Sequence, residues 1–216
     1  MGHVLVNTSV TLDGFIAGPN HEMDWIFDNN FLPHEPIAIV DEIIATTGAV
    51  MCGRNCYDVG ESSSRSETKG LFGGAWTGPE FVLTHRPPPA SELEDRGSGR
   101  SLTFLTPETI TEAVGIGLEA SQGKNLFVLG ANVVQQCLSE DLVDEMILFV
   151  VPLLLGDGIT LFGSIAANSQ HVGAQFPLRF ETRTVTQVGR TLILRLGKPG
   201  AQTRRSSKNA ASLGQP

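Results

Sequence analysis

Ser9-Val10-Thr11-Leu12-Asp13-Gly14-Phe15-Ile16-Ala17-Gly18-Pro19, running on to Asp24-Trp25, is the stretch on which the reading of this chain turns. Val4 to Val10 leads into it with apolar residues at even spacing, the period of a strand. The chain then breaks into a glycine-containing loop with the carboxylates Asp13 and Asp24 and a tryptophan, before any helix. A loop leaving the end of a central strand is where α/β proteins place their chemistry. Asp13-Gly14 is also the commonest short-turn signal. Spacing alone leaves both readings open.

The remaining segments supply the frame. Strands are predicted at Ala49–Cys52, Glu80–Thr84, Ser101–Leu105, Asn125–Leu129 and Met146–Leu155. Pro36 suits a helix start, with Ile37, Val40, Ile43 and Ile44 at helical spacing and Gly48 as the stop. Thr106-Pro107 reads as an N-cap and first helical residue, with Ile110, Ala113, Val114 and Gly117 on one face and an end by Gly123. Gly130-Ala131-Asn132 opens a short helix through Cys137. Asp58 to Gly78, with Ser62-Ser63-Ser64, reads as a loop or lid, and Ser91 to Arg100 as exposed. Leu178–Val185 and Thr191–Leu196 flank a glycine turn and form an antiparallel hairpin.

This alternation implies a single α/β domain over residues 1–197, a mostly parallel central sheet with helices on both faces and a C-terminal antiparallel hairpin. Residues 198–216 have almost nothing to bury and are expected to be disordered.

Composition excludes several classes. A net charge of −8 leaves no basic stripe to track a nucleic acid. No apolar run reaches the roughly 18 residues of a membrane span, so no membrane partner is expected. Cys52, Cys56 and Cys137 form neither a paired framework nor a metal cluster, so no metal is expected. The chain starts straight into a strand, which makes the cytoplasm the simplest expected location.

Three strand ends invite comparison: Gly53-Arg54, Thr84-His85-Arg86, and Gly130-Ala131-Asn132 before a helix. If the strands are parallel, all three open on one sheet edge. A glycine turn feeding a helix N-terminus favours a phosphate there, and arginines pair with phosphate oxygens bidentately. Each piece alone also has a plain structural reading, as turn glycine or solvated charge. His85 has no partnered nucleophile for a hydrolase triad, and neither Gly-x-Gly-x-x-Gly nor Gly-Lys-Ser/Thr occurs.

Taken in order, Thr11 to Pro19 with Asp24-Trp25, Gly53 to Asp58, Phe81 to Arg86, Val128 to Asn132, Leu142 to Glu145, Pro152 to Gly158 and Leu161-Phe162 resemble the dihydrofolate reductase-like superfamily. The resemblance is to the reductase domain of riboflavin biosynthesis and its stand-alone relatives. It implies an NADPH-dependent reductase acting on a pterin- or aminopyrimidine-like heterocycle, and a homodimer. Gly53, Arg54, Thr84, His85 and Arg86 would hold the adenosine phosphates. Gly130, Ala131, Asn132 and Val133 would hold the pyrophosphate. Ile16 and Ala17 would line the nicotinamide; Asp13, Asp24 and Trp25 would face the substrate, with Asp13 and Asp24 as the catalytic carboxylates.

The sequence departs from the pattern at four places. Leu129 replaces a turn glycine and Cys56 a threonine. The acid of dihydrofolate reductases falls at Ile37, with Glu35 nearest, and the lysine of the riboflavin-pathway enzymes is Asn7. The alternative reading is a catalytically lapsed NADP-binding or interaction protein that keeps the fold.

Overall fold

A computed structural model describes residues 2–27, 31, 37–62, 70–89, 101–163, 165 and 176–200. The strands are β1 (Val4–Thr11), β2 (Phe15–Ala17), β3 (Thr47–Gly53), β4 (Pro79–Leu83) and β5 (Ser101–Leu105), then β6 (Asn125–Leu129), β7 (Glu145–Val151), β8 (Ile159–Thr160), β9 (Glu181–Val188) and β10 (Thr191–Gly197). The α-helices are α1 (Ala38–Thr46), α2 (Arg54–Ser62), α3 (Ile110–Ala120) and α4 (Ala131–Ser139).

Eight strands form one sheet in the order β5-β4-β3-β6-β1-β7-β10-β9. The first six are parallel to one another, and β10 and β9 close the sheet antiparallel. The fold class expected from the sequence is the one found.

Strand pleat divides the apolar residues between two layers. Val4, Val6, Met51, Leu126, Val128 and Leu148 face α3 and α4, with Ala113, Val114, Val133 and Val134 packed on them. Leu5, Ile147, Phe149 and Ile193 face the other way, onto Ile43 of α1. Cys52 and Val82 pack with Tyr57 of α2 on that second face. Arg195 of β10 ties α1 to the sheet, pairing with Glu42 at 2.8 Å and with Glu145.

The crossovers explain where a ligand can sit. From β1 the chain passes through α1 to β3, skipping a strand on one face. From β6 it passes through α4 to β7, skipping β1 on the opposite face. Adjacent strands whose connections leave to opposite faces open a crevice at their carboxyl ends. Here that crevice lies between β6 and β1.

Several local expectations need correction. Gly48 does not stop α1; it lies inside β3, and the helix passes into the strand at Thr47, whose hydroxyl donates to the Ile43 carbonyl (2.7 Å). The Asp58–Gly78 segment is not all loop: α2 runs to Ser62, and a short 3-10 turn spans Leu71–Gly74. The cap of α3 is Thr109, whose hydroxyl accepts the Glu112 N–H (3.1 Å), not Thr106. β7 ends at Val151, where Pro152 follows, and the first hairpin strand is Glu181–Val188. Pro36, Glu35, residues 91–100 and 201–216 lie outside the described residues.

Candidate functional site

Along the carboxyl edge, the strand order places Thr84-His85-Arg86 after β4, Gly53-Arg54 after β3, Gly130 after β6, the Asp13 loop after β1 and residues 152–158 after β7. From β4 to β1 is three strand spacings, about 14 Å. The three ends singled out in the sequence are thus contiguous, and the opening loop is their next neighbour.

At the β6 end, Gly130 has φ 82° and ψ 137°, a conformation that essentially only glycine adopts. It precedes α4, whose N-terminus has no side-chain cap. The free N–H groups of Ala131, Asn132 and Val133 therefore face the edge with the positive end of the helix dipole. A Cβ on Gly130 would lie 3.1 Å from Cβ of Cys56, and one on Gly53 would lie 3.3 Å from Val133, so the β3 and β6 turns touch. Leu129 ends β6 opposite Cys52 and packs against Val50, Phe127 and Tyr57. It needs no left-handed backbone there.

Arg54 opens α2. Its Nε donates to both oxygens of Asp58 (2.7 and 2.9 Å), the i,i+4 partner, and its guanidinium lies 5.7 Å from the Phe104 ring centre. Its terminal amino groups have no protein acceptor among the described residues, a held and stacked arginine suited to a phosphate. The Thr84 hydroxyl accepts the Arg86 N–H (3.1 Å) and orders that loop, while His85 and Arg86 are exposed.

The β1 loop is built by its own residues. The Thr11 hydroxyl accepts the Phe15 N–H (3.0 Å) and donates to Oδ1 of Asp13 (2.5 Å). Oδ2 of Asp13 accepts the Gly156 N–H (2.8 Å). The Thr11 hydrogen bond chiefly holds the Asp13 carboxyl below its ordinary value of 3.8, and the Gly156 N–H acts in the same direction. The Leu12 N–H donates to the Leu153 carbonyl (2.9 Å) and that of Leu161 to Gly14 (2.9 Å).

β2 then pairs with β8, setting Ala17 opposite Ile159. Gly158 lies so close that a Cβ there would fall 2.2 Å from the Ala17 carbonyl oxygen. Ile16 packs against the α3–α4 layer, and Ala17 is buried.

Asp24 and Trp25 lie in a 3-10 turn (Asp24–Phe27). Asp24 is exposed, with no hydrogen bond or ion pair among the described residues. Nε1 of Trp25 is buried without an acceptor among the described residues. A buried unpaired donor calls for an explanation, and a ligand acceptor supplies one. Asn7 projects from β1 toward the α1 face and donates to the Ile147 carbonyl (2.9 Å). Residues 152–158, quoted from the sequence as part of the resemblance but given no role, form the second wall of the β1 loop through the Leu153 carbonyl and the Gly156 N–H.

Strand order, the antiparallel closing pair and the crevice beside β1 define a dihydrofolate reductase-like fold. The chain belongs to the RibD C-terminal domain family, whose sequence model matches residues 2–194. Uncharacterized protein YyaP of Bacillus subtilis (strain 168) is 26% identical over 161 residues, 74% of this chain and 79% of the relative. A putative riboflavin biosynthesis protein from Shewanella sp. PV-4 superimposes with a TM-score of 0.70 at 22% identity, over 91% of this chain and 98% of that one. A diaminohydroxyphosphoribosylaminopyrimidine deaminase/5-amino-6-(5-phosphoribosylamino)uracil reductase from Thermotoga maritima gives 0.59 at 17% identity, over 91% of this chain and 56% of that one. Likeness at these identities speaks for the fold alone. No α-helix among the described residues is long and apolar enough to cross a membrane.

Proposed function

We propose that this chain is an NADPH-dependent reductase of a small pterin- or aminopyrimidine-like heterocycle. The observation that carries the reading is the spatial order of the strand ends: two arginine-bearing turns, an uncapped helix start behind a bare glycine, then a carboxylate loop. The residues fit the cofactor. Arg54 and Arg86, with Thr84 ordering the Arg86 turn and His85 beside it, would take the adenosine phosphates. Gly53, Gly130 and the N–H groups of Ala131 to Val133 would take the pyrophosphate. Ile16 and Ala17 would border the nicotinamide, which supplies the hydride when bound.

The remaining chemistry belongs to the chain's own groups. Asp13, held from both oxygens, fixes the wall beside β1. Asp24, free of protein partners among the described residues, is the group that would hold a proton for a ring nitrogen of the acceptor. The Trp25 N–H would donate to an acceptor atom on the same substrate. With Asn7 in place of the pathway lysine and Ile37 in place of the dihydrofolate acid, the substrate differs from both of those.

The test is a fluorescence titration with NADPH and NADH. Preference for NADPH, largely removed by Arg54→Ala or Arg86→Ala, is expected; equal affinity for the two would refute the 2′-phosphate assignment. A second reading, a lapsed NADP-binding protein, draws on the engagement of both Asp13 oxygens. Binding of NADPH without oxidation of it by any pterin or aminopyrimidine acceptor would select it. Assembly as a homodimer and residence in the cytoplasm remain part of the proposal.

A further inference from the structure

Beneath the touching ends of β3 and β6 lies a pair of thiols that the reductase chemistry does not use. Cys52 is the penultimate residue of β3, buried against Tyr57 and Val82. Cys56 lies four residues on, in the first turn of α2, half-buried against the cluster that Cys52 forms with Tyr57 and Val82. Cβ and Sγ of Cys56 lie 3.1 and 3.6 Å from where a Cβ on Gly130 would be. Cys56 is therefore packed directly against the turn that begins α4, and Cys52 pairs with Leu129, the residue before it. Strand end and helix start also fix their relative placement, because β3 passes into α2 without an intervening residue.

We propose that Cys52 and Cys56 form a reversible disulfide on exposure to a hydroperoxide, and that closing it weakens nucleotide binding at the Gly130 turn. The second clause rests on the reductase reading above. The chemistry balances with the hydroperoxide as oxidant. The Cys56 thiolate attacks the peroxide, the O–O bond breaks, and a sulfenic acid forms with release of water or alcohol. The Cys52 thiolate then attacks that sulfur, the S–O bond breaks, and a second water leaves with the proton. Two thiols lose two electrons and two protons in all.

Cys56 is the reactive member: its hydrogen bond with Cys52 holds it below the usual thiol value against the effect of burial. Cys137, on the other face of the sheet, is the internal contrast, since burial pushes its thiol up to about 12. Its thiol should stay reduced.

A disulfide requires the two sulfurs to approach to about 2 Å, closer than any hydrogen-bonded contact. That approach draws the first turn of α2, with Arg54 on it, toward β3 and away from its fit against Gly130. A tenfold or greater loss of NADPH affinity is expected, reversed by dithiothreitol.

The experiment treats the full chain with hydrogen peroxide, counts thiols after denaturation, and maps peptides by mass. One remaining thiol, at Cys137, and a Cys52–Cys56 crosslink that dithiothreitol reverses are expected. Cys52→Ser and Cys56→Ser should form no such link. Three intact thiols, or Cys56 over-oxidised without a link, would overturn the pair. A crosslinked protein that binds NADPH as tightly as the reduced form would overturn the coupling. A reduced protein that never binds NADPH defeats the reductase reading and the coupling with it, while the thiol count still decides the crosslink.

Discussion

Replacing Gly130 by alanine tests fold and function at one atom. The native backbone there, φ 82° and ψ 137°, costs a non-glycine residue about 1–3 kcal/mol. The new methyl would also lie 3.1 Å from Cβ of Cys56, a backbone-anchored atom that cannot swing aside. Crowding of that kind adds about 1 kcal/mol. A loss of about 2–4 kcal/mol follows, or roughly 5–15 °C in Tm for a domain of this size. Relief of either strain moves the start of α4, so the N–H groups of Ala131 to Val133 lose their aim.

Urea unfolding measures the first effect. NADPH titration well below the melting onset measures the second, and an affinity loss of at least tenfold, about 1.4 kcal/mol, is expected. A Gly130→Ala protein with wild-type stability and wild-type affinity would refute both the strain and the assignment of this turn to the pyrophosphate. Lowered stability with unchanged affinity would leave Gly130 a turn residue alone.

Two helical glycines two positions apart should respond with opposite signs. Gly115 of α3 is exposed, with open space at its Cβ position, so Gly115→Ala should stabilise by about 0.5–1 kcal/mol. Gly117 is buried, and a Cβ there would come within 2.7–2.8 Å of the Leu126 methyls, so Gly117→Ala should destabilise by about 1–3 kcal/mol. Urea melts of the pair measure both. The Thr11→Val substitution removes the main hydrogen bond that holds the Asp13 carboxyl low. What that depressed pKa contributes to stability is present above the unfolded chain's value and lost as pH falls through the folded one. The advantage of wild type should therefore be largest near neutral pH and narrow in acid to the pH-independent share from the Thr11 hydroxyl's bond with the Phe15 N–H; a difference that does not narrow in acid refutes the assignment.

Legibility of the sequence followed the range of the interactions. β6 was bounded correctly, and the buried face of α3 was identified residue for residue, because each carries its period within a few turns of chain. α2 was missed, and its second half from Asp58 was read as loop. Among its described residues only Tyr57 has a buried side chain, and Gly60 and the serines that follow hide the period. β2 and β8 are three and two residues long, too short for a period, and their pairing joins Phe15 to Thr160. The false cap at Thr106-Pro107 competed with Thr109-Ile110-Thr111-Glu112, which has capping-box spacing closer to the apolar run. In the site, the Arg54–Asp58 pair was not read, because its i,i+4 spacing has meaning only on the helix that was itself missed. Nor was the Gly156 donor to Asp13, since nothing local marks a partner so far along the chain.

That hydrogen bond has a consequence for the order of folding. Leu12 with Leu153, Asp13 with Gly156 and Gly14 with Leu161 all close loops of well over a hundred residues. Contacts of such separation form late, after the loop-closure entropy has been met by the strands that bring them together. The helix start behind Gly130 and the arginine turns need only residues up to Val133. The carboxylate wall waits for β7 to dock beside β1. A growing chain thus completes its phosphate-suited edge before the wall next to it, and any fragment ending before Leu153 leaves Oδ2 of Asp13 without the Gly156 N–H.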